Sequence, residues 1–198
     1  MLTLFLELAT LLFFALAAAH AARRHGRFGV LLIGFLLLLG FLRENFVTLE
    51  RLLYGYGDLH LELGAAPLIG AIIWPYSIYV ACCWAERMSG VDLVPGLTRG
   101  PFLALVALFM VSLVGFYEPL LHRVGMARWE EGTRAIAHTP WIALVGYPSL
   151  AVPGVALCGA LIRRTSGWRL AAGLAVGAAA LAVVHARSLQ ALKDGLGW

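Results

Sequence analysis

Five side chains able to do acid/base or metal chemistry stand out in a chain with few charges: Glu44, Asp58, His60, Glu62 and Glu118. Glu44 follows the strongly apolar run Leu31 to Leu42, with Arg43 beside it as an ion-pair partner or as a cation reaching for the membrane interface. Glu118 ends another apolar run that begins at Pro101, within Gly115-Phe116-Tyr117-Glu118-Pro119, and no basic residue lies nearer in sequence than His122 and Arg123. Ionisable groups at such depth are costly in hydrocarbon, so they usually face a bundle interior or a wet cavity and mark functional sites.

Asp58, His60 and Glu62 alternate with apolar residues in Tyr54-Gly55-Tyr56-Gly57-Asp58-Leu59-His60-Leu61-Glu62-Leu63-Gly64. An extended backbone would point all three the same way. Such a trio suits shared protons or a divalent cation held by oxygen and imidazole, and it equally suits a solvated amphipathic loop. Aromatic residues gather around the acids in sequence, among them Tyr54, Tyr56, Trp74, Tyr76, Tyr117, Trp129, Trp141 and Tyr147. Interfacial aromatic belts account for many of them. Aromatic faces also stabilise a carbocation without attacking it, as an enzyme that protonates an alkene requires.

The elements that must position these groups are membrane helices. The chain has 198 residues, 61% of them hydrophobic and only 13% charged, where soluble domains run near a quarter charged. Apolar runs recur over about 2–20, 29–48, 66–85, 100–120, 139–162 and 168–187, each long enough to cross a hydrocarbon core of about 30 Å. The expected fold is an all-α, polytopic bundle of about six transmembrane helices forming a single domain over residues 1–198. Pro67, Pro75, Pro119, Pro140, Pro148 and Pro153 lie in or beside the spans and predict kinks. The last span is rich in Ala and Gly and suits close helix packing. The first apolar stretch has no basic segment before it, and Arg23, Arg24 and Arg27 follow it, which reads as a mature helix rather than a secretory signal. No internal repeat is apparent.

Six spans put the loops near 49–65 and 121–138 and both termini on one membrane face, with nine of the eleven acids. Carboxyl groups from separate loops can therefore converge there. The opposite face carries eight basic residues against seven, too small a difference to fix orientation strongly, although the dense Arg23, Arg24 and Arg27 favour that face as cytoplasmic. The basic residues are dispersed between apolar runs and 14 of 15 are Arg, so they flank a bilayer rather than bind nucleic acid. Cys82, Cys83 and Cys158 lie in apolar segments and read as small buried hydrophobes. P-loop, dinucleotide, nucleophile-elbow and His-Glu-x-x-His patterns are missing, and the six histidines lack the pairing of a di-iron histidine box.

Two stretches resemble the integral-membrane carotenoid biosynthesis proteins that include γ-carotene hydroxylases of the hydratase type and bisanhydrobacterioruberin hydratase. The first runs from Glu44 through Tyr56-Gly57-Asp58-Leu59 and Leu63-Gly64 to Pro67, Ile69-Gly70, Pro75 and Trp84. The second comprises Tyr117-Glu118-Pro119, Gly125-Met126-Ala127-Arg128-Trp129-Glu130, Thr139-Pro140 and Gly146-Tyr147. Glu118 stands where the family has Asp, Asp58 is followed by Leu rather than an aromatic residue, and Gly146-Tyr147 replaces Gly-Trp.

The resemblance implies addition of water to a terminal isoprenoid double bond, or a sibling cyclisation, without redox cofactor; no cofactor or metal is assigned, a metal near Asp58, His60 and Glu62 stays open, and the expected location is a bacterial or archaeal cytoplasmic membrane. It implies Glu44, Asp58 and Glu118 as the catalytic carboxyls. Tyr54, Tyr56, Trp74, Tyr76, Tyr117, Trp129 and Trp141 are expected to line the substrate, with Arg43, His60 and Glu62 in support. The expected partners are a carotenoid or other isoprenoid lipid and the bilayer, with a homo-oligomer or membrane complex also open. The rival expectations are a non-catalytic accessory subunit or scaffold, whose acids would be tied up in helix contacts, and a small transporter.

Overall fold

The computed structural model describes residues 2–50, 52–57, 59–129, 134–136 and 138–196. Six helices dominate: α1 (Leu2–Leu49), α2 (Leu68–Ser89), the short α3 (Leu93–Gly96), α4 (Gly100–Arg123), α5 (Trp141–Arg164) and α6 (Gly167–Gly195). Five are long and apolar enough to cross a membrane, and the protein is an integral membrane protein with an all-α bundle.

Helix α1 does not continue straight for its 48 residues. Gly26 adopts φ 56° and ψ −137°, close to the first central position of a type II′ turn, which glycine takes without strain. The chain doubles back there. In an unbroken helix residues 21 and 29 would be about 12 Å apart, yet a Cβ at Gly29 would collide with the Ala21 carbonyl. At the other end of the hairpin, Glu7 and Asn45 both bond the 60–66 segment. The two expected spans at 2–20 and 29–48 are thus the arms of α1, each longer than the apolar run alone indicates.

Leu4, Phe5, Leu8, Leu12, Phe13 and Leu16 on the first arm are exposed, as are Leu108, Val111 and Phe116 on α4 and Val176, Val183 and Val184 on α6. These faces meet hydrocarbon rather than water. Inside, Leu36, Leu39, Ile78, Met110, Val114, Leu150 and Val155 form the buried core. Helix α6 packs closely on α5 through small residues, since a Cβ at Gly177 would come within 2.8 Å of Leu157, and one at Gly173 within 3.1 Å of Leu161.

The acid-rich face carries short strands: β1 (Tyr54–Tyr56), β2 (Glu62–Leu63), β3 (Ala66–Pro67), β4 (Ala127–Trp129), β5 (Ala135–Ile136) and β6 (Thr139–Pro140). Strands β2 and β3 form one antiparallel pair, β5 and β6 another, and β1 pairs antiparallel with β4, Tyr54 opposite Trp129.

The same series of elements occurs twice. A helix ending beyond a buried acid, the second arm of α1 or α4, leads to a strand of the β1–β4 pair. A strand pair follows, and then a helix whose N-cap is proline: Pro67 before α2 and Pro140 before α5. In both halves the first helix runs towards the acid-rich face and the second away, so the halves are parallel repeats about an axis along the membrane normal. The repeat is hard to see in the linear sequence because the features its halves share are single residues at matched spacings, Trp74-Pro75 and Tyr147-Pro148 each beginning seven residues after the capping proline, within interchangeable apolar residues.

Candidate functional site

Glu44 is fully buried near the end of α1. It accepts hydrogen bonds from four side chains: the Arg43 guanidinium, the Tyr54 and Tyr56 hydroxyls and the Trp74 indole. Arg43 is equally buried, bonds the Tyr54 hydroxyl as well, and lies 5.0 Å from the Trp74 ring centroid. Arg43 therefore pairs with Glu44 rather than reaching for the interface. A buried carboxylate needs such compensation, since an unpaired charge in a low-dielectric interior is strongly unfavourable.

Glu118, 5% exposed on α4, receives the Trp129 indole N–H on Oε2 and the Tyr147 hydroxyl on Oε1, each at 2.8 Å. The two acids occupy equivalent places in the two halves, and so do their donors. Tyr54 and Trp129 are opposite each other in the β1–β4 pair with ring centroids 4.9 Å apart. Trp74 and Tyr147 are 4.6 Å apart. Contact between equivalent residues is what a two-fold axis through the site produces.

Local backbone geometry aims these groups. Leu53, buried at 1% exposure, has φ 64°, a strained conformation for a branched side chain costing about 1–3 kcal/mol. It is held because its N–H donates to Gln190 Oε1 of α6 at 2.9 Å, and it turns Tyr54 inward. Gly70 has no room for a Cβ, which would strike the Tyr56 hydroxyl and lie 3.5 Å from the Glu44 Cγ. His185 of α6 places Nε2 2.9 Å from the Gly146 carbonyl oxygen, so Nε2 carries hydrogen and braces the turn before Tyr147. Burial pushes the Tyr54 and Tyr56 phenols well above the ordinary tyrosine range, the pull of Arg43 notwithstanding, so both remain hydrogen-bond donors.

Glu44, Tyr54, Tyr56, Trp74, Glu118, Trp129 and Tyr147 enclose a cavity of about 40 Å³, above the roughly 10–15 Å³ that one water requires. Its apolar wall is made of Ile69, Ile73, Leu121 and Met126. The same four residues wall an apolar groove of about 290 Å³ between the first arm of α1, α2 and α4, completed by Leu6, Phe13, Tyr76, Phe116 and Tyr117. A greasy slot thus abuts a small polar chamber.

Of the expected site residues, Glu44, Glu118, Arg43, Tyr54, Tyr56, Trp74 and Trp129 meet at or behind the chamber wall, while Tyr76 and Tyr117 line the groove. Asp58 lies outside the described residues. His60 is elsewhere: its backbone N–H and ring bond the buried Glu7 at 2.9 and 3.0 Å, and Leu61 N–H adds a third bond at 3.2 Å. Glu62 is exposed in β2, on an open cleft beside β1. The extended pattern assumed over 54–64 breaks after Tyr56, which separates these side chains from the chamber. Trp141 packs instead with a satellite core of Val47, Leu53, Ile142 and Leu189, because it starts α5 two turns below Tyr147.

Tyr147, a direct donor to Glu118, and the capping carboxylate Glu7 were not among the expected site residues. The matched Pro67–Trp74 and Pro140–Tyr147 spacings carried the signal for Tyr147. Among the described residues, no three His, Cys, Asp or Glu side chains gather into a metal-binding group. No family model, curated protein or solved structure matches the chain.

Proposed function

We propose that this protein is a membrane enzyme that adds water to a terminal double bond of a carotenoid or other isoprenoid lipid, or cyclises it, by carboxyl acid/base chemistry through a tertiary carbocation. One observation carries the reading. Two buried carboxyls, brought from the two halves of the chain, line one small chamber whose apolar wall continues into a groove beside exposed, lipid-facing helices. The polar chamber suits a reacting alkene and a water, and the groove suits the hydrocarbon that follows it.

The groove lies near the lower end of the roughly 300–1,000 Å³ range of small-molecule sites. It fits the end of a long chain whose remainder lies in the bilayer. Tyr54, Trp74, Trp129 and Tyr147 surround the chamber with ring faces and edges, an environment that favours a cation. Hydration is redox-neutral and calls for no cofactor. The carotenoid biosynthesis proteins that the sequence resembles supply the substrate class.

The test is expression in a host that accumulates an acyclic carotenoid such as lycopene, with pigments separated and weighed by mass spectrometry. Hydrated or cyclised product, lost on Glu44→Gln and on Glu118→Gln, is expected. Unchanged pigment from the parent chain would overturn the substrate class.

One observation favours a second reading, a small transporter: repeated halves meeting at a polar site also occur in secondary transporters. Against it, the middle of the bundle is filled by buried Leu36, Ile78, Met110 and Leu150. Proton or cation flux through reconstituted vesicles, abolished by the same substitutions, would favour transport instead.

A further inference from the structure

The two acids are equivalent by position and unequal by charge. The residue before Glu44 is Arg43, whereas the residue before Glu118 is the neutral Tyr117, which lines the groove with Tyr76. Among the described residues, Arg43 is the cation in contact with either carboxyl, and it bonds Glu44. The donors to Glu118 among the described residues are neutral, one indole and one phenol. Of the described residues, two carboxyls line the buried chamber and one guanidinium stands behind it. Two ionised acids would leave a net negative charge without compensation, whereas a single shared proton makes the chamber neutral.

We infer that the two halves have divided the chemistry: Glu118 carries the proton and is the acid that delivers it, and Glu44, locked to Arg43, is the standing anion that receives the proton released by water. This inference rests on the proposed hydration. The alkene end enters from the groove past Leu121 and Met126. Its π electrons take the proton from the Glu118 carboxyl, forming a C–H bond at the less substituted carbon and leaving a tertiary cation. The positive charge on that carbon is then balanced by Glu118 as carboxylate, so the chamber stays neutral overall.

A water in the chamber forms the C–O bond, and the oxonium gives its extra proton to Glu44. An oxonium is so strong an acid that a carboxylate already accepting four hydrogen bonds suffices as base. Transfer of that proton to Glu118 through solvent resets the site. The sum is alkene plus water to tertiary alcohol, with no electron gained or lost.

Two measurements separate this inference from the proposal on which it rests. Infrared difference spectra of the parent protein in lipid vesicles, at neutral pH and without substrate, should show a protonated-carboxyl C=O band that shifts in D2O. The band should vanish in Glu118→Gln and persist when Glu44→Gln is combined with Arg43→Met, which removes the anion and its cation together. Tyr147→Phe should shift its frequency, whereas Tyr54→Phe should leave it in place, which keeps the assignment testable if Glu118→Gln fails to fold. A band that follows Glu44 and Tyr54, or no protonated carboxyl at all, overturns the inference.

With an acyclic carotenoid in D2O and in an Arg43→Met background, Glu44→Gln should still place deuterium at the chain end of recovered polyene while making no alcohol, and Glu118→Gln should do neither. In that background, deuterium placed by Glu118→Gln and not by Glu44→Gln would reverse the roles and overturn the inference. If the parent chain converts no polyene, the hydration reading falls, and the infrared assignment stands or falls by its own result.

Discussion

Trp74 and Tyr147 face one another with ring centroids 4.6 Å apart and planes inclined by 37°, and each gives its polar hydrogen to the buried acid of its own half. One aromatic pair thereby couples two carboxyls that belong to separate repeats. Each residue sits two turns inside a proline-capped helix, so the same local device presents both donors at the same depth.

Tyr147→Phe keeps the ring and removes only the donor, and Trp74→Phe keeps an aromatic ring while removing the donor with half of the indole, so each leaves a buried carboxyl short of one bond. Each should cost about 1–3 kcal/mol. Because the rings touch, the double variant should depart from the sum of the singles by about 0.5 kcal/mol or more. Denaturant unfolding in detergent micelles measures both quantities, and simple additivity would mean that the pair does not couple the halves.

Arg43→Met should be among the most damaging single changes, about 3–5 kcal/mol, because Glu44 would remain charged and buried with no cation. Adding Glu44→Gln to that variant should recover much of the loss. Yields of folded protein and thermal melting in micelles report the outcome, and a double variant no better than Arg43→Met would show that packing, not charge, is at stake.

The reversal at Gly26 separates two glycines of the same helix. Gly26→Ala forces a side chain into a conformation that L residues rarely adopt and should lose about 1–3 kcal/mol. Gly34 is helical with open space around it, so Gly34→Ala should be neutral or stabilise by up to about 1 kcal/mol. Melting temperatures of the two variants, measured side by side, should move in opposite directions or differ clearly in loss.

Burial raises the Tyr54 and Tyr56 phenols. A group whose folded value is raised contributes stability that is complete below its unfolded value, about 10 for tyrosine, and lost as pH climbs above it. The tyrosinate absorbance that appears near pH 10 should therefore have the same amplitude in the parent, Tyr54→Phe and Tyr56→Phe, while folded protein should give way only at higher pH. A smaller amplitude in either variant would mean that its phenol is open to solvent.

Helical crossings and their parity were legible in the residues themselves, because the bilayer leaves a chain no alternative: about 20 apolar residues in succession must bond their own backbone as helix. Parity then puts the ends of the helices bearing Glu44 and Glu118 on one face before any packing is known. What sequence left undecided was direction and contact. The alternation over Asp58, His60 and Glu62 suggested one shared side, but the strand ends after Tyr56, and His60 is drawn instead to Glu7 of the first arm.

Apolar composition by itself determined that this chain is a membrane bundle with acids at one surface. Only the tertiary structure decided which acids meet, because that depends on the β1–β4 pairing and on single prolines, glycines and aromatic rings whose spacing is invisible among interchangeable Leu, Val and Ala. The same packing decided that Arg43 bonds the Glu44 carboxyl directly. Charge balance in a buried chamber is a property of three-dimensional neighbours, and no linear pattern fixes it.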